Sequence, residues 1–427
     1  RTPPPRSSPV DTPTHSSLYP FSLLPLLTRM LSELGTASLD ETEFTHRKGM
    51  HTGGVRFSTY TSALPAQVEE VAAYMLLRGK AMTAKAGDLF DIFSESLHEV
   101  QLDRRERALE MLEESIVRAE ASVISAGNSY AASSLSSRYS LAGHVGELQG
   151  GVSQLETMRS ALAEARSDWP SLLARLESMR TAILCRDGAI INLTAEEDDM
   201  EAAAPAVDAF LGRLPSDGLP LHKWTRPRVL TPYREGLQVG TQVNYVAKAA
   251  QIYPPGELAP GSTAVVSRFL RTSYLWDKVR VQGGAYGCSL GFNRYTGLAC
   301  FSSYRDPNLA KTLAAYDAAP AFLREASTNL ARAELDKSII GAVGDMDSPM
   351  SADQKGFTSM VRYLLGVTEE ERQTFRSQVL TTSHDDLMRF AERLDTVATD
   401  GSVAVVGSEK AFAEEAEELQ IQVRQLP

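Results

Sequence analysis

Apolar residues along this chain recur with two periods, and together they lay out an alternating order of helices and strands. Leu23, Leu26, Leu27, Met30, Leu31 and Leu34 share one helical face, and Gly35 stands where a C-cap belongs. A short second helix is expected from Asp40 to Lys48, with His51 beyond it beside the Gly53-Gly54 turn. The Thr52–Tyr60 stretch alternates as a strand does, and Ala73–Lys80 reads as another. A helix is expected over Ala84–Val100, its apolar face made by Leu89, Phe90, Phe93 and Leu97. Further helices fill Asp103 to Leu184. A short buried-type strand, Ala189–Thr194, and a helix over Asp199–Leu214 follow.

The composition shifts between Pro215 and Glu235, where Pro215, Pro220, Pro227 and Pro232 are scattered among basic residues and Trp224. This is the pattern of a linker. Beyond it, strands are expected at Gln242–Lys248, Gly284–Phe292 and Leu298–Tyr304, with a helix over Ser262–Trp276 before the last two. Helices then dominate from Asn308 to Val397, Ser402–Gly407 closes as a strand, and a last helix starts at Glu409. The two halves repeat one order: a Gly-Gly turn, a strand pair, helices, a strand and an acidic helix. A repeat of about 190 residues is the size of one ordinary domain. The expected fold class is α+β: two homologous units, each a mainly antiparallel sheet with helices on one face. The expected layout is a disordered Pro/Ser-rich segment at 1–18, a unit at 19–214, a linker at 215–235 and a unit at 236–427.

Composition narrows the function. At 427 residues the chain is long for one core, and 43% hydrophobic with 23% charged residues is ordinary for a globular protein. A net charge of −11 argues against a nucleic-acid partner, which calls for a basic face. No apolar run approaches the roughly 20 residues that span a bilayer; Leu23–Leu34 is broken by Pro25, Arg29 and Glu33. Cys185, Cys288 and Cys300 form neither a disulfide framework nor a CxxC pair, so structural burial in a reducing compartment is expected. The opening Arg1-Thr-Pro-Pro-Pro-Arg-Ser-Ser-Pro9 has the basic bias of a transit peptide, but its consecutive prolines break an amphipathic helix. It reads as a linker or a truncated start.

The search for chemistry leaves one stretch. Neither H-E-x-x-H nor its inverse occurs, and the seven histidines stand mostly far apart. Glu43, His46 and His51 come nearest to a cluster and need not share a face, so no metal site is expected. His98-Glu99, at a helix end, reads as a dipole contact. No nucleophile elbow or phosphate loop occurs. What remains is Leu275-Trp-Asp-Lys-Val-Arg280-Val-Gln-Gly-Gly-Ala-Tyr286-Gly, which joins a helix end to a strand through Gly283 and Gly284. Glycines allow a foreign backbone to come close, and Arg280 and Tyr286 offer donors to a carbonyl oxygen gaining negative charge. The residues alone equally allow a plain tight turn, with Arg280 paired to Asp277 and Tyr286 packed inside.

At this stretch the sequence resembles the pitrilysin/insulinase superfamily, in its presequence-protease branch. The resemblance is carried in order by Leu34-Gly-Thr, Thr52-Gly-Gly, Leu77-Arg-Gly-Lys-Ala-Met, Asp88-Leu-Phe, Val100-Gln-Leu-Asp and Thr241-Gln-Val-Asn-Tyr-Val. It continues through Arg280–Gly287, Ser303-Tyr-Arg-Asp-Pro-Asn and Leu364-Leu-Gly-Val-Thr-Glu-Glu-Glu-Arg-Gln. It implies the third and fourth units of a four-unit zinc endopeptidase that closes round targeting peptides and other short unstructured peptides. Zinc and its H-x-x-E-H ligands would belong to an N-terminal half, the partner of this chain, in the mitochondrial matrix or the chloroplast stroma. Arg280 and Tyr286 match the family's catalytic arginine and tyrosine near the scissile carbonyl, with Gly283, Gly284 and Ala285 binding substrate beside them. Some relatives space this pair by seven residues and here it is six. Residues 1–17 do not resemble the strand expected ahead of Tyr19, which would leave a sheet edge open. A non-catalytic scaffold or peptide-binding subunit is the alternative that the resemblance allows.

Overall fold

A computed structural model describes residues 19–216, 225–226 and 233–426. The segment expected at 1–18 and most of the linker expected at 215–235 lie outside these residues.

The first half opens with α1 (Tyr19–Glu33) and α2 (Glu41–His51), then a hairpin of β1 (Val55–Leu64) and β2 (Gln67–Gly79). Seven helices follow: α3 (Ala86–His98), α4 (Arg105–Ser125), α5 (Gly127–Tyr139), α6 (Leu141–Gly150), α7 (Val152–Ser167), α8 (Trp169–Ile183) and α9 (Glu197–Arg213). The apolar stripe read in the sequence is the buried face of α1, where Leu27, Met30, Leu31 and Leu34 pack with Phe44, Phe93 and Leu112. Asp40 caps α2 by accepting from the Glu43 N–H at 2.8 Å, and the Glu43 carboxylate accepts the Asp40 N–H in return.

The second half runs β3 (Arg234–Gln238), β4 (Tyr245–Gln251), α10 (Ser262–Leu270), a π-helix (Arg271–Val281), β5 (Gly287–Asn293) and β6 (Leu298–Tyr304). It continues through α11 (Ala310–Asp317), α12 (Ala319–Asn329), α13 (Arg332–Met346), α14 (Ala352–Leu365), α15 (Glu369–Leu380) and α16 (His384–Asp400). It ends with β7 (Ser402–Gly407), α17 (Glu409–Glu415) and β8 (Gln422–Gln425). Its sheet has the order β5-β6-β4-β7-β3-β8, antiparallel from β5 to β7 and parallel where β3 meets β7 and β8.

Every residue of β7 and nearly every residue of β4 is buried, because each sheet face has its own core. Val246, Ala250, Phe301, Val403 and Val405 point to one face, with residues of α10, α11 and α16. Tyr245, Ala247, Ala249, Ala404 and Val406 point to the other, where α5 of the first half supplies Ala131, Leu135 and Tyr139. The α+β class of helices packed on sheets therefore holds, and α5 adds a cover for the second face. The Tyr139 hydroxyl donates to the Ala249 carbonyl at 3.0 Å, and the Tyr245 hydroxyl donates to the Ile124 carbonyl at 2.7 Å. Gly127 lies so close to the Tyr245 ring that a β-carbon there would come within 2.4 Å of it.

Four expectations need correction. Residues 189–194 form no strand: Ile190, Ile191 and Leu193 are exposed. Their apolar pattern fits a buried strand, but no described strand lies beside them to pair with. His51 is the last residue of α2, which runs three residues past Lys48. The helix expected over Ser262–Trp276 changes to π geometry at Arg271 and extends to Val281. Strands β3 and β8 go beyond the pattern read in the sequence; both are short and depend on neighbours in the sheet.

Candidate functional site

The π-helix presents Trp276 and Arg280 outward while Tyr274, Leu275 and Val279 anchor it in the core. Single-turn π bulges are the usual form of such geometry and gather at functional sites, and here it extends over 11 residues. The chain then reverses tightly. Gly284 has φ +83°, in the region open to glycine, and a side chain at Gly283 would strike the Val279 carbonyl. The Gly284 N–H donates to the Arg280 carbonyl at 2.9 Å, and the Ala285 N–H donates to the Val279 carbonyl at 3.1 Å.

The Ser303–Asn308 motif holds the turn from behind. Asn308 Nδ2 donates to the Gly283 carbonyl at 2.6 Å, and the buried Asp306 carboxylate accepts from the Asn308 N–H and the Thr312 hydroxyl. Asn244 and Asp306 exchange backbone hydrogen bonds at 2.7 and 2.8 Å, which ties the turn to β4.

On this frame the Arg280 guanidinium lies 4.0 Å from the Trp276 ring centroid and 5.9 Å from that of Tyr286. Tyr286 is 70% exposed and Trp276 48%. The plain-turn alternative fails on both counts. Asp277 accepts from Gln282 Nε2 at 2.7 Å, and among the described residues no carboxylate lies within bridging distance of Arg280. Tyr286 stands on the surface, its ring in a T-shaped contact with Tyr304, centroids 5.9 Å apart. Arg280 thus keeps its charge and donors available beside two aromatic faces.

The structure brings Arg280 and Tyr286 together and separates the roles of their neighbours. Ala285 is 3% exposed with its N–H committed, so it offers substrate neither its side chain nor its N–H and instead sets the turn. Gly283 is likewise committed through its carbonyl. Trp276 is missed by sequence reasoning because an isolated tryptophan at a helix end carries no motif; its i, i+4 spacing to Arg280 is the signal that could have found it. Nearby, burial pushes the Cys288 thiol up to about 11, and that of Cys300, on β6, up to about 12, so both are inert rather than nucleophilic.

Zinc finds no fitting ligand set in this chain: among the described residues no group of three or more His, Cys, Asp or Glu could hold a metal ion. Glu43 is spent on the α2 cap, His46 only lines an open cleft, and His51 Nδ1 pairs with Asp88 at 2.8 Å. His98 ends α3, where burial and then Arg180 lower its pKa and favour the neutral ring. No helix among the described residues is long and apolar enough to cross a membrane.

Two family models match. One is the PreP C-terminal domain, over residues 234–409, and the other is the domain associated with subfamily C of the M16 peptidases, over residues 16–160. Presequence protease 1, chloroplastic/mitochondrial, of Arabidopsis thaliana is 37% identical over 389 residues, covering 90% of this chain and 35% of that protein. The mitochondrial presequence protease of Kluyveromyces lactis is 27% identical over 407 residues, covering 92% of this chain and 40% of its own length. The chain thus spans between a third and two fifths of these relatives. Among solved structures, the peptidase M16 inactive domain from Pseudomonas fluorescens superposes with a TM-score of 0.62 at 13% identity, covering 90% of this chain and 87% of that one, a likeness of fold. The chain belongs to the presequence-protease family of M16 peptidases and corresponds to the C-terminal part of its members.

Proposed function

We propose that this chain is the substrate-gripping, non-metallated half of a presequence-protease-type zinc endopeptidase. Its two halves would be the third and fourth units of that enzyme and form one wall of a peptide-holding chamber. The carrying observation is Arg280, a permanently charged guanidinium without a carboxylate partner among the described residues, set between Trp276 and the exposed Tyr286. Arg280 would donate to the carbonyl oxygen of a bound peptide as charge develops there, and Tyr286 would add its hydroxyl. Trp276 would hold the guanidinium in place. Targeting peptides and other short unstructured peptides are the proposed substrates, in the mitochondrion or the chloroplast. The zinc site would be supplied by the N-terminal half of the enzyme.

In this chain reconstituted with the N-terminal half of a presequence protease, Arg280→Ala is expected to lower kcat by about 10²-fold, the scale of a lost oxyanion donor. Peptide cleavage at the wild-type rate by that variant would end the assignment. Alone, the chain is expected to leave a fluorogenic peptide intact. If the wild-type reconstituted protein is also inert while the chain still binds peptide, the scaffold reading takes its place.

A further inference from the structure

Arg305, one residue past the end of β6, borders the Arg280 turn. Its backbone is left-handed, with φ +48°, a conformation that suits glycine and, less well, Asn or Asp, and that strains other residues. The conformation serves the turn: the Tyr286 N–H, which donates to the Tyr304 carbonyl at 3.1 Å, also reaches the Arg305 carbonyl at 3.4 Å. Glycine would make the same turn with less strain. The backbone therefore accounts for the geometry at this position and not for its guanidinium.

The Arg305 side chain is exposed, and its guanidinium lies 5.5 Å from the Tyr304 ring centroid. The Tyr245 hydroxyl donates to the Ile124 carbonyl at 2.7 Å and accepts from the Arg305 side chain, which orients the guanidinium. Among the described residues no carboxylate lies within bridging distance of Arg305, although acidic partners are plentiful in a chain of net charge −11. Tyr304 links this guanidinium to the other one. Its ring centroid lies 5.9 Å from that of Tyr286, which lies 5.9 Å from the Arg280 guanidinium, and Arg280 in turn covers Trp276 at 4.0 Å. Rings and cations thus make one chain of contacts from Trp276 to Arg305. An extended peptide rises about 3.3 Å per residue, so a few residues carry it from one guanidinium to the other.

On the reading of Arg280 as the contact to the scissile carbonyl, we infer that Arg305 is a second peptide-binding residue, which takes a carboxylate of the bound peptide in its guanidinium fork. A guanidinium meets a carboxylate with two parallel N–H donors, and a peptide offers that group at its free C-terminus or on an Asp or Glu side chain. Arg305 fixes how far along the strip the peptide lies. It contributes to affinity equally before and during the reaction, whereas Arg280 acts on the charge that develops.

The test titrates a fluorescein-labelled dodecapeptide of Ala, Ser, Leu and one Glu into the full chain, read by fluorescence anisotropy. Four forms of the peptide are compared: C-terminus free or amidated, with the Glu kept or replaced by Gln. Arg305→Gly suits the left-handed backbone and deletes the fork, and should weaken binding of the fully charged form by roughly fivefold, the scale of one exposed ion pair. Arg305→Lys keeps the charge without the fork and should give a smaller loss. Binding of the doubly neutral form should not change in either variant. An effect that vanishes on amidation assigns the C-terminal carboxylate as partner, and one that vanishes with Gln assigns the side chain. In the chain reconstituted with the N-terminal half of a presequence protease, Arg305→Gly should raise KM for the charged form and leave kcat unchanged, the reverse of Arg280→Ala. Equal weakening of all four forms, the mark of a structural role, would overturn the assignment. So would unchanged binding of the charged form, a fall in kcat at constant KM, or no saturable binding by the wild-type chain. If the wild-type reconstituted protein cleaves nothing, the endopeptidase reading falls, and the anisotropy series still decides whether Arg305 holds a carboxylate.

Discussion

Residues 189–194 and strand β7 have much the same sequence character and opposite fates. Ala-Ile-Ile-Asn-Leu-Thr and Ser-Val-Ala-Val-Val-Gly each hold four apolar and three β-branched residues, yet only Ser-Val-Ala-Val-Val-Gly forms a strand. β7 has β4 on one side and β3 on the other, with cores on both faces, and its residues are almost completely buried. Residues 189–194 have none of these partners among the described residues and remain exposed. A strand is a property of its neighbours as much as of its own pattern, and the same holds for the hairpins: β6 is internal to a sheet, and β2 pairs only with β1 among the described strands.

The largest effect expected from this comparison is between one position on each hairpin. Phe301 of β6 is fully buried and stacked on Tyr316 at 5.0 Å. Phe301→Ala should cost about 3–5 kcal/mol of unfolding free energy, whereas Leu76→Ala on half-buried β2 should cost less than about 1 kcal/mol. Urea unfolding followed by circular dichroism reads both, and equal losses would erase the distinction between the two sheets.

An intermediate effect is expected where α5 covers the second-half sheet. Gly127→Val forces atoms into the Tyr245 ring and should cost about 1–3 kcal/mol, the range for overpacking. Because the two halves meet there, calorimetry should show one unfolding transition splitting into two. Tyr139→Phe, which removes hydrogen bonds to Ala249 and Ser402, should act in the same direction by about 1 kcal/mol. A single unchanged transition in both variants would mean that the halves are not coupled through α5.

The smallest effect concerns Glu147, buried in α6 between α5 and α7 partners. Burial raises its pKa, partly offset by hydrogen bonds donated by Ser133 and the Ser153 N–H. A carboxyl raised in the folded state contributes stability that is present below the ordinary carboxylate range and is lost as pH rises through the folded value. The wild-type chain should therefore lose stability on going from acidic to neutral pH at this site, and Glu147→Gln should flatten that slope. An identical pH profile for the variant would assign the slope to other groups.

Much of the candidate site could be read from the sequence because its parts are local. Arg280, two glycines and Tyr286 lie within seven residues, and a Gly-Gly turn between a helix and a strand leaves few ways to place them. Trp276 is not legible there because a cation–π partner is defined by a ring's position, and the π geometry that sets it is not encoded by any simple period. The choice between a packed turn and an exposed clamp is also beyond sequence, since Asp277, three residues before Arg280 in the chain, bonds Gln282 instead.

The sequence by itself determined the helices with strong apolar stripes, the two hairpins and the α+β class, because these follow from periodicity and turn chemistry within a few residues. Only the tertiary structure decided which apolar stretch becomes a strand, that α5 crosses to the other half, and that Arg280 and Tyr286 face outward. Each of those outcomes depends on contacts between residues far apart in the chain, where burial and ladder pairing outweigh local propensity.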